Sequence, residues 1–132
     1  MKILITGSSG MLAKDIINEL ANDKGMIIHG ADLIENPNPN IHKQHTIDLS
    51  NIKKVEELIN NIDPDIIIHT AAIVNLGVCE EDFNLAAKVH IDSSRVLAKS
   101  KARLIYISTD SIFNGETGNY NEENIPDPLN NY

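Results

Sequence analysis

The sequence contains one cysteine, Cys79, no tryptophan, and only two phenylalanines and three tyrosines. A single cysteine excludes an internal disulfide and points to a reducing compartment, so a cytoplasmic location is expected. The thiol opens an acidic stretch, CEED, with no second cysteine to resolve it, and reads as a small core residue. No apolar run approaches the length of a membrane span. The opening MKILITGSSG carries one lysine and a short apolar run before a Gly/Ser cluster, too little for a signal-peptide core. Basic residues are scarce, 11 against 19 acidic, for a net charge of −8. No basic run breaks that balance, which argues against nucleic acid or an anionic membrane as partner. His42 and His45 in HKQH have ligand-like spacing, but no further Cys or His lies nearby in sequence and the stretch reads as loop, so no metal site is expected. The G-x-S-x-G elbow of a hydrolase is also missing.

What is present is a one-domain chain, 132 residues with 42% hydrophobic and 23% charged, enough to bury a core without staples. Residues 2–6 read as a buried strand ended by GSSG. Residues 11–22 follow as a helix, with Met11, Leu12, Ile16, Ile17, Leu20 and Ala21 on one stripe. A second strand, 26–31, stops at Asp32, and ENPNPN marks an exposed connection. A short third strand is predicted at 44–47, then a helix at 52–62 with Ser50 as N-cap. Asp63-Pro64-Asp65 ends that helix, and IIIH at 66–69 reads as a strand covered on both faces. A loop at 70–77, a long helix at 81–99 and a fifth strand at 103–107 complete the pattern. His69 reads as a strand-end packing residue. Residues 114–132 lack Lys and Arg, are rich in Asn, and read as loop. Strands alternating with helices predict a doubly wound parallel α/β sheet, strand order 3-2-1-4-5.

Gly7-Ser8-Ser9-Gly10 lies between the first strand and first helix. There, glycines let the backbone turn tightly and approach a pyrophosphate, and the helix start offers unpaired N–H groups and a positive dipole end. Asp32 ends the second strand, where an acid meets adenosine ribose hydroxyls in dinucleotide folds and repels a 2′-phosphate. These residues favour NAD(H) over NADP(H). Without a ligand the same pattern is a tight βα turn beside a solvated acid.

Five stretches carry a resemblance: ITGSSGMLA, IDLSN, PDIIIHTAA, CEED with the following VH, and STDSIFNG leading to PLNNY. Together they resemble the N-terminal part of an extended short-chain dehydrogenase/reductase, most like the dTDP-4-dehydrorhamnose reductases. The likeness covers essentially the whole chain, and STDSIFNG is more specific than the glycine turn. It implies a Rossmann-type domain at 1–113, an active-site loop at 114–132, and a substrate domain beyond. It also implies that Gly7, Gly10, Met11 and Leu12 hold the pyrophosphate, that Asp48 and Leu49 meet the adenine, and that Ala71 and Ala72 line the path to the nicotinamide ribose. Thr109 matches the active-site Ser/Thr, and Tyr132 matches the tyrosine of the YxxxK motif. Taken by themselves, Asp48-Leu49 is a helix lead-in and Ala71-Ala72 is small-residue packing. Val74, Gly77, His90 and Ser111 depart from the family pattern.

The implied chemistry is reduction of a 4-keto sugar nucleotide, with hydride from the nicotinamide and a proton from the tyrosine. The motif's lysine lowers the cost of a tyrosinate, about 4 kcal/mol at pH 7 for a free phenol. No lysine follows Tyr132 in this sequence, so the expectation is that these residues alone are not a competent reductase. A regulatory nucleotide-binding module, a fragment of a nucleotide-sugar epimerase or dehydratase, and one half of a split enzyme are the alternatives. Strand five is expected to be an open edge, covered by self-association or a partner chain.

Overall fold

The computed structural model describes residues 1–132. Five parallel strands form one sheet in the order β3-β2-β1-β4-β5, with β1 at Lys2–Thr6, β2 at Ile27–Asp32, β3 at Lys43–Thr46, β4 at Ile66–His69 and β5 at Arg103–Tyr106. The expected architecture and strand order are those observed. Because the strands are parallel, their carboxyl ends share one edge of the sheet. Thr6, Asp32, Thr46, His69 and Tyr106 close the five strands there.

Alternation along the central strands explains how short apolar runs fill both faces. Leu4 and Ile67 pack on one face with Val55, Leu58 and Ile62 of α2 (Ile52–Ile62). Ile3, Ile5 and Ile68 pack on the other with Ala13 and Ile17 of α1 (Met11–Leu20). Asp63 adopts a left-handed conformation, φ 48°, and closes α2. One carboxylate oxygen of Asp65 then accepts the Lys2 N–H at 2.7 Å, fastening the entry of β4 to the start of β1.

Several local expectations are corrected. The packing stripe of α1 runs through Ala13 and Ile17, while Met11 is 87% exposed and Leu12 47%. Asn51 caps α2, accepting from the Lys54 N–H at 3.2 Å, whereas Ser50 is turned by a bond from its own N–H to Asp48. The predicted loop at 70–77 ends early, because Asn75 caps a helix, α3 (Leu76–Glu81). The predicted long helix is divided: Asp82 caps a separate α4 (Phe83–Ala87), a π turn occupies Lys88–Asp92, and α5 covers Ser93–Lys99. An Asx side chain that accepts a backbone N–H two or three residues on competes with helix continuation, so Asn75 and Asp82 each start a new helix. HKQH is not a loop, since Lys43–Thr46 is β3. The edge position expected of strand five is observed: β5 is the outer strand, and Ile105, Tyr106 and Ile107 are 40–50% exposed.

The last regular element is a 3-10 turn, Asp110–Ile112. Beyond it Phe113 stacks on Tyr120 at 4.5 Å between ring centroids. No helix is long and apolar enough to cross a membrane.

Candidate functional site

The site begins where β1 runs into α1. Gly7 has φ +72°, and its N–H donates to the Ala31 carbonyl at 2.8 Å. A Cβ at Gly7 would lie 2.7 Å from the backbone N and Cα of Ala71, so the turn rests directly against the chain leaving β4. Gly10 stands at the N-cap of α1 and supplies no side-chain cap. The first helical N–H groups are therefore left for solvent or a ligand. Asp32 closes the turn from β2. Its carboxylate accepts the Ser9 N–H at 2.9 Å and the Leu33 N–H at 2.7 Å. Two backbone donors thus fix an acid beside an uncapped helix start.

A cleft of about 830 Å³ opens over this edge of the sheet. All nine residues singled out for cofactor binding line it: Gly7, Gly10, Met11, Leu12, Asp32, Asp48, Leu49, Ala71 and Ala72. They come from three loops, the last residue of β2 and the start of α1, brought together because the strands all end at the same edge. The cleft also has walls that the sequence reading missed. Leu33 and Ile34 are about two-thirds exposed immediately after Asp32. Val78, Leu85 and Val89 form the opposite apolar wall. Their spacing of seven and four is a helical stripe, a signal visible in sequence that is easily taken for core.

Thr109 and Tyr132 do not line the cleft. Thr109 lies past the end of β5. Its hydroxyl accepts the Ser111 N–H at 3.2 Å and donates to Asp110 at 3.3 Å. Tyr132 stands edge-on to His90, with ring centroids 5.7 Å apart. The preceding Asn131 donates twice to the Glu80 carboxylate at 2.8 Å, which brings the tail back to α3. His90 sits in the π turn, and its Nε2 accepts the N–H of Ile73 at 2.8 Å. Ile73 is a cleft residue. Tyr132 is thereby placed near the Ile73 end of the cleft through an aromatic contact and one hydrogen bond. No hydrogen bond joins it to Thr109.

Two other candidates take structural positions. His69 is buried, and its Nδ1 shares a 2.5 Å hydrogen bond with the Thr6 hydroxyl. Its Nε2 has no partner, and the ring leans on Tyr106. Burial, reinforced by His90, lowers its pKa to about 4, so the imidazole is neutral at pH 7. Cys79 is buried and donates its S–H to the Ile73 carbonyl. Burial, and then Glu80, push the thiol upward, away from a nucleophilic thiolate.

The sequence matches the RmlD substrate binding domain over residues 1–132. A solved structure described as a hypothetical dTDP-4-dehydrorhamnose reductase from Sulfolobus tokodaii superposes with a TM-score of 0.85 at 32% identity, covering 100% of this chain and 48% of that one. Methionine adenosyltransferase 2 subunit beta from Bos taurus is 32% identical over 135 residues, covering 99% of this chain and 39% of its own length. The probable low-salt glycan biosynthesis reductase Agl14 of Haloferax volcanii is 29% identical, covering 100% of this chain and 45% of its own. The chain thus spans less than half the length of each. The match runs the full length of the sequence, with the fold and the resemblance agreeing, and the chain belongs to the RmlD substrate binding domain family.

Proposed function

We propose that this chain is the dinucleotide-binding part of a sugar-nucleotide reductase of the dTDP-4-dehydrorhamnose reductase type. The observation that carries this reading is the cleft itself, which gathers a side-chain-free turn at Gly7, an uncapped helix start and a clamped Asp32. A dinucleotide fits those features. The N–H groups at the start of α1 would face the pyrophosphate, supplying fixed positive partial charge in a protein of net charge −8. Asp32 would accept from ribose hydroxyls with its remaining lone pairs. Asp48 and Leu49 would border the adenine, and Ala71 and Ala72 the second ribose, where small side chains leave room. The bound nicotinamide supplies or accepts hydride.

The chain's own contribution to the chemistry would come from two residues outside the lining of the cleft, Thr109 and Tyr132. Thr109 would hydrogen-bond the sugar carbonyl oxygen, and Tyr132 would hold the proton that oxygen receives. The rest of the protein would provide the motif's lysine and the nucleotide-sugar contacts. The open edge of β5 would be covered there, by a second copy or by a partner chain.

A second reading is a nucleotide-binding subunit without turnover. It is favoured by the relative named as the beta subunit of methionine adenosyltransferase 2.

Calorimetry with NADH and NADPH tests both readings at their shared step. NADH is expected to bind the tighter of the two. Asp32→Ala should narrow that preference roughly tenfold, because the carboxylate that disfavours a 2′-phosphate is gone. Tighter binding of NADPH by the unaltered protein would overturn the NAD(H) assignment. Binding of neither would overturn the dinucleotide reading altogether.

A further inference from the structure

Tyr132 is half-buried at the end of a tail whose aliphatic residues are not. Ile125 is 87% exposed and Leu129 77%. Apolar burial alone would turn those two side chains inward before a phenol with a polar tip. A polar contact therefore decides how the tail lies. Among the hydrogen bonds of residues 114–132, only those of Asn131 reach residues 1–109. The Asn131 backbone N–H donates to one carboxylate oxygen of Glu80 and its Nδ2 to the other, each at 2.8 Å. The Tyr132 N–H donates to Asn130 Oδ1 at 3.0 Å, which sets the turn between them.

Glu80 stands on a fixed support. It follows Cys79, whose S–H donates to the Ile73 carbonyl, while the Ile73 N–H donates to His90 Nε2. One residue of the cleft wall thus ties α3 to the π turn. Glu80 on the first element holds Asn131, and His90 on the second meets the ring of Tyr132 edge-on. Two linked groups therefore touch consecutive residues of the tail.

We propose that Glu80 is the positioning residue of Tyr132, acting through Asn131 to seat the phenol against His90. The functional weight of that placement rests on the reading of Tyr132 as the residue that holds the proton. The contact needs a carboxylate. Asn131 presents two donors, and a carboxylate offers each its own oxygen, strengthened by charge. Glutamine at this position would keep the length but bring one acceptor oxygen, and its amide would face a donor. Asn131→Asp makes the opposite change, setting one carboxylate against another. Together the two substitutions restore both bonds. The glutamine oxygen accepts the backbone N–H, and its amide donates to the new carboxylate. Glu81 is exposed and takes no part in the contact.

Proton NMR of the chain without cofactor tests the proposal. A nuclear Overhauser cross-peak between the rings of His90 and Tyr132 is expected, identified by its loss in Tyr132→Leu. Glu80→Gln and Asn131→Asp should each remove at least half of its intensity, because a charge-assisted pair is lost and a donor is left unmatched. The double variant should recover it, and Glu81→Gln should keep it. Urea midpoints should stay in place across the Glu80 and Asn131 variants, since both residues are exposed, so the signal reports placement rather than folding. No cross-peak in the unaltered chain, an undiminished one in Glu80→Gln, an equal loss in Glu81→Gln, or no recovery in the double variant would overturn it. The measurement uses no cofactor, so a failure to bind NADH would overturn the dinucleotide reading and leave this placement standing.

Discussion

Gly7→Ala is expected to destabilise the fold by about 4 kcal/mol. Two costs add. A left-handed φ of +72° disfavours any L side chain, by about 1–2 kcal/mol. The new Cβ would also meet the backbone of Ala71 at 2.7 Å, and backbone cannot rotate away as a flexible side chain can. Relief requires moving the end of β4, an overpacking cost of about 1–3 kcal/mol. The sum is a large part of the roughly 5–15 kcal/mol that ordinarily separates folded from unfolded chains. Gly118→Ala separates the two costs. Gly118 has φ +70°, but a Cβ there would have nothing within 4 Å, so only the backbone cost remains. Urea unfolding of both variants measures the difference. If the two lose the same stability, the close approach of the glycine turn to Ala71 is wrong. Because Ala71 lines the cleft, Gly7→Ala should also weaken NADH, whereas Gly118→Ala should not.

Acid is expected to unfold the protein in part through His69. Its folded-state pKa is about 4, against 6.5 for an ordinary histidine. Between those values the unfolded chain binds a proton that the folded chain refuses. Stability is therefore complete above pH 6.5 and is lost as the pH falls toward 4. The gap corresponds to about 3 kcal/mol. The cause is burial of an imidazole whose Nε2 has no acceptor to share a proton with. His69→Gln can still bond to Thr6 but does not titrate. Its stability at pH 7 should be lower, from imperfect packing, yet it should fall less steeply between about pH 6.5 and 4.5 than that of the unaltered protein. Carboxylates titrate in both proteins, so the informative quantity is the difference between their urea midpoints across that range. Parallel curves would show that His69 is not the acid-sensitive group.

The parts of the fold legible in sequence are those where one physical signal acts alone. β1, α2 and β4 have the bounds that hydrophobic runs and helical spacing predict. Elements are misjudged where two signals compete. Residues 76–99 have helical spacing throughout, but Asn75 and Asp82 capture backbone N–H groups and restart the helix. The π turn at Lys88–Asp92 has no local signature of its own. At the site, the loops that follow strands are readable because parallel topology forces them to one edge. The apolar walls are not. Leu33-Ile34 follows an acid in a polar stretch, and Val78, Leu85 and Val89 keep helical spacing yet turn toward the cleft. Side chains facing a cleft and side chains facing a core have the same composition, and only tertiary placement distinguishes them. The meeting of Glu80 with Asn131 joins residues 51 apart, which no short window of sequence contains.

A π turn is an α-helix carrying one residue too many. Ala86 before it and Leu97 after it are both buried against the body of the protein. Loss of one residue from 88–92 would return the segment to regular α-helix and leave those two anchors facing inward. The same loss within α5 would turn everything after it by about 100°. The segment between β4 and β5 therefore has one position at which the chain can shorten without repacking, and that position carries His90 against Ile73 and Tyr132. Chain length is easy to change there for the fold and costly for the placement of the tyrosine.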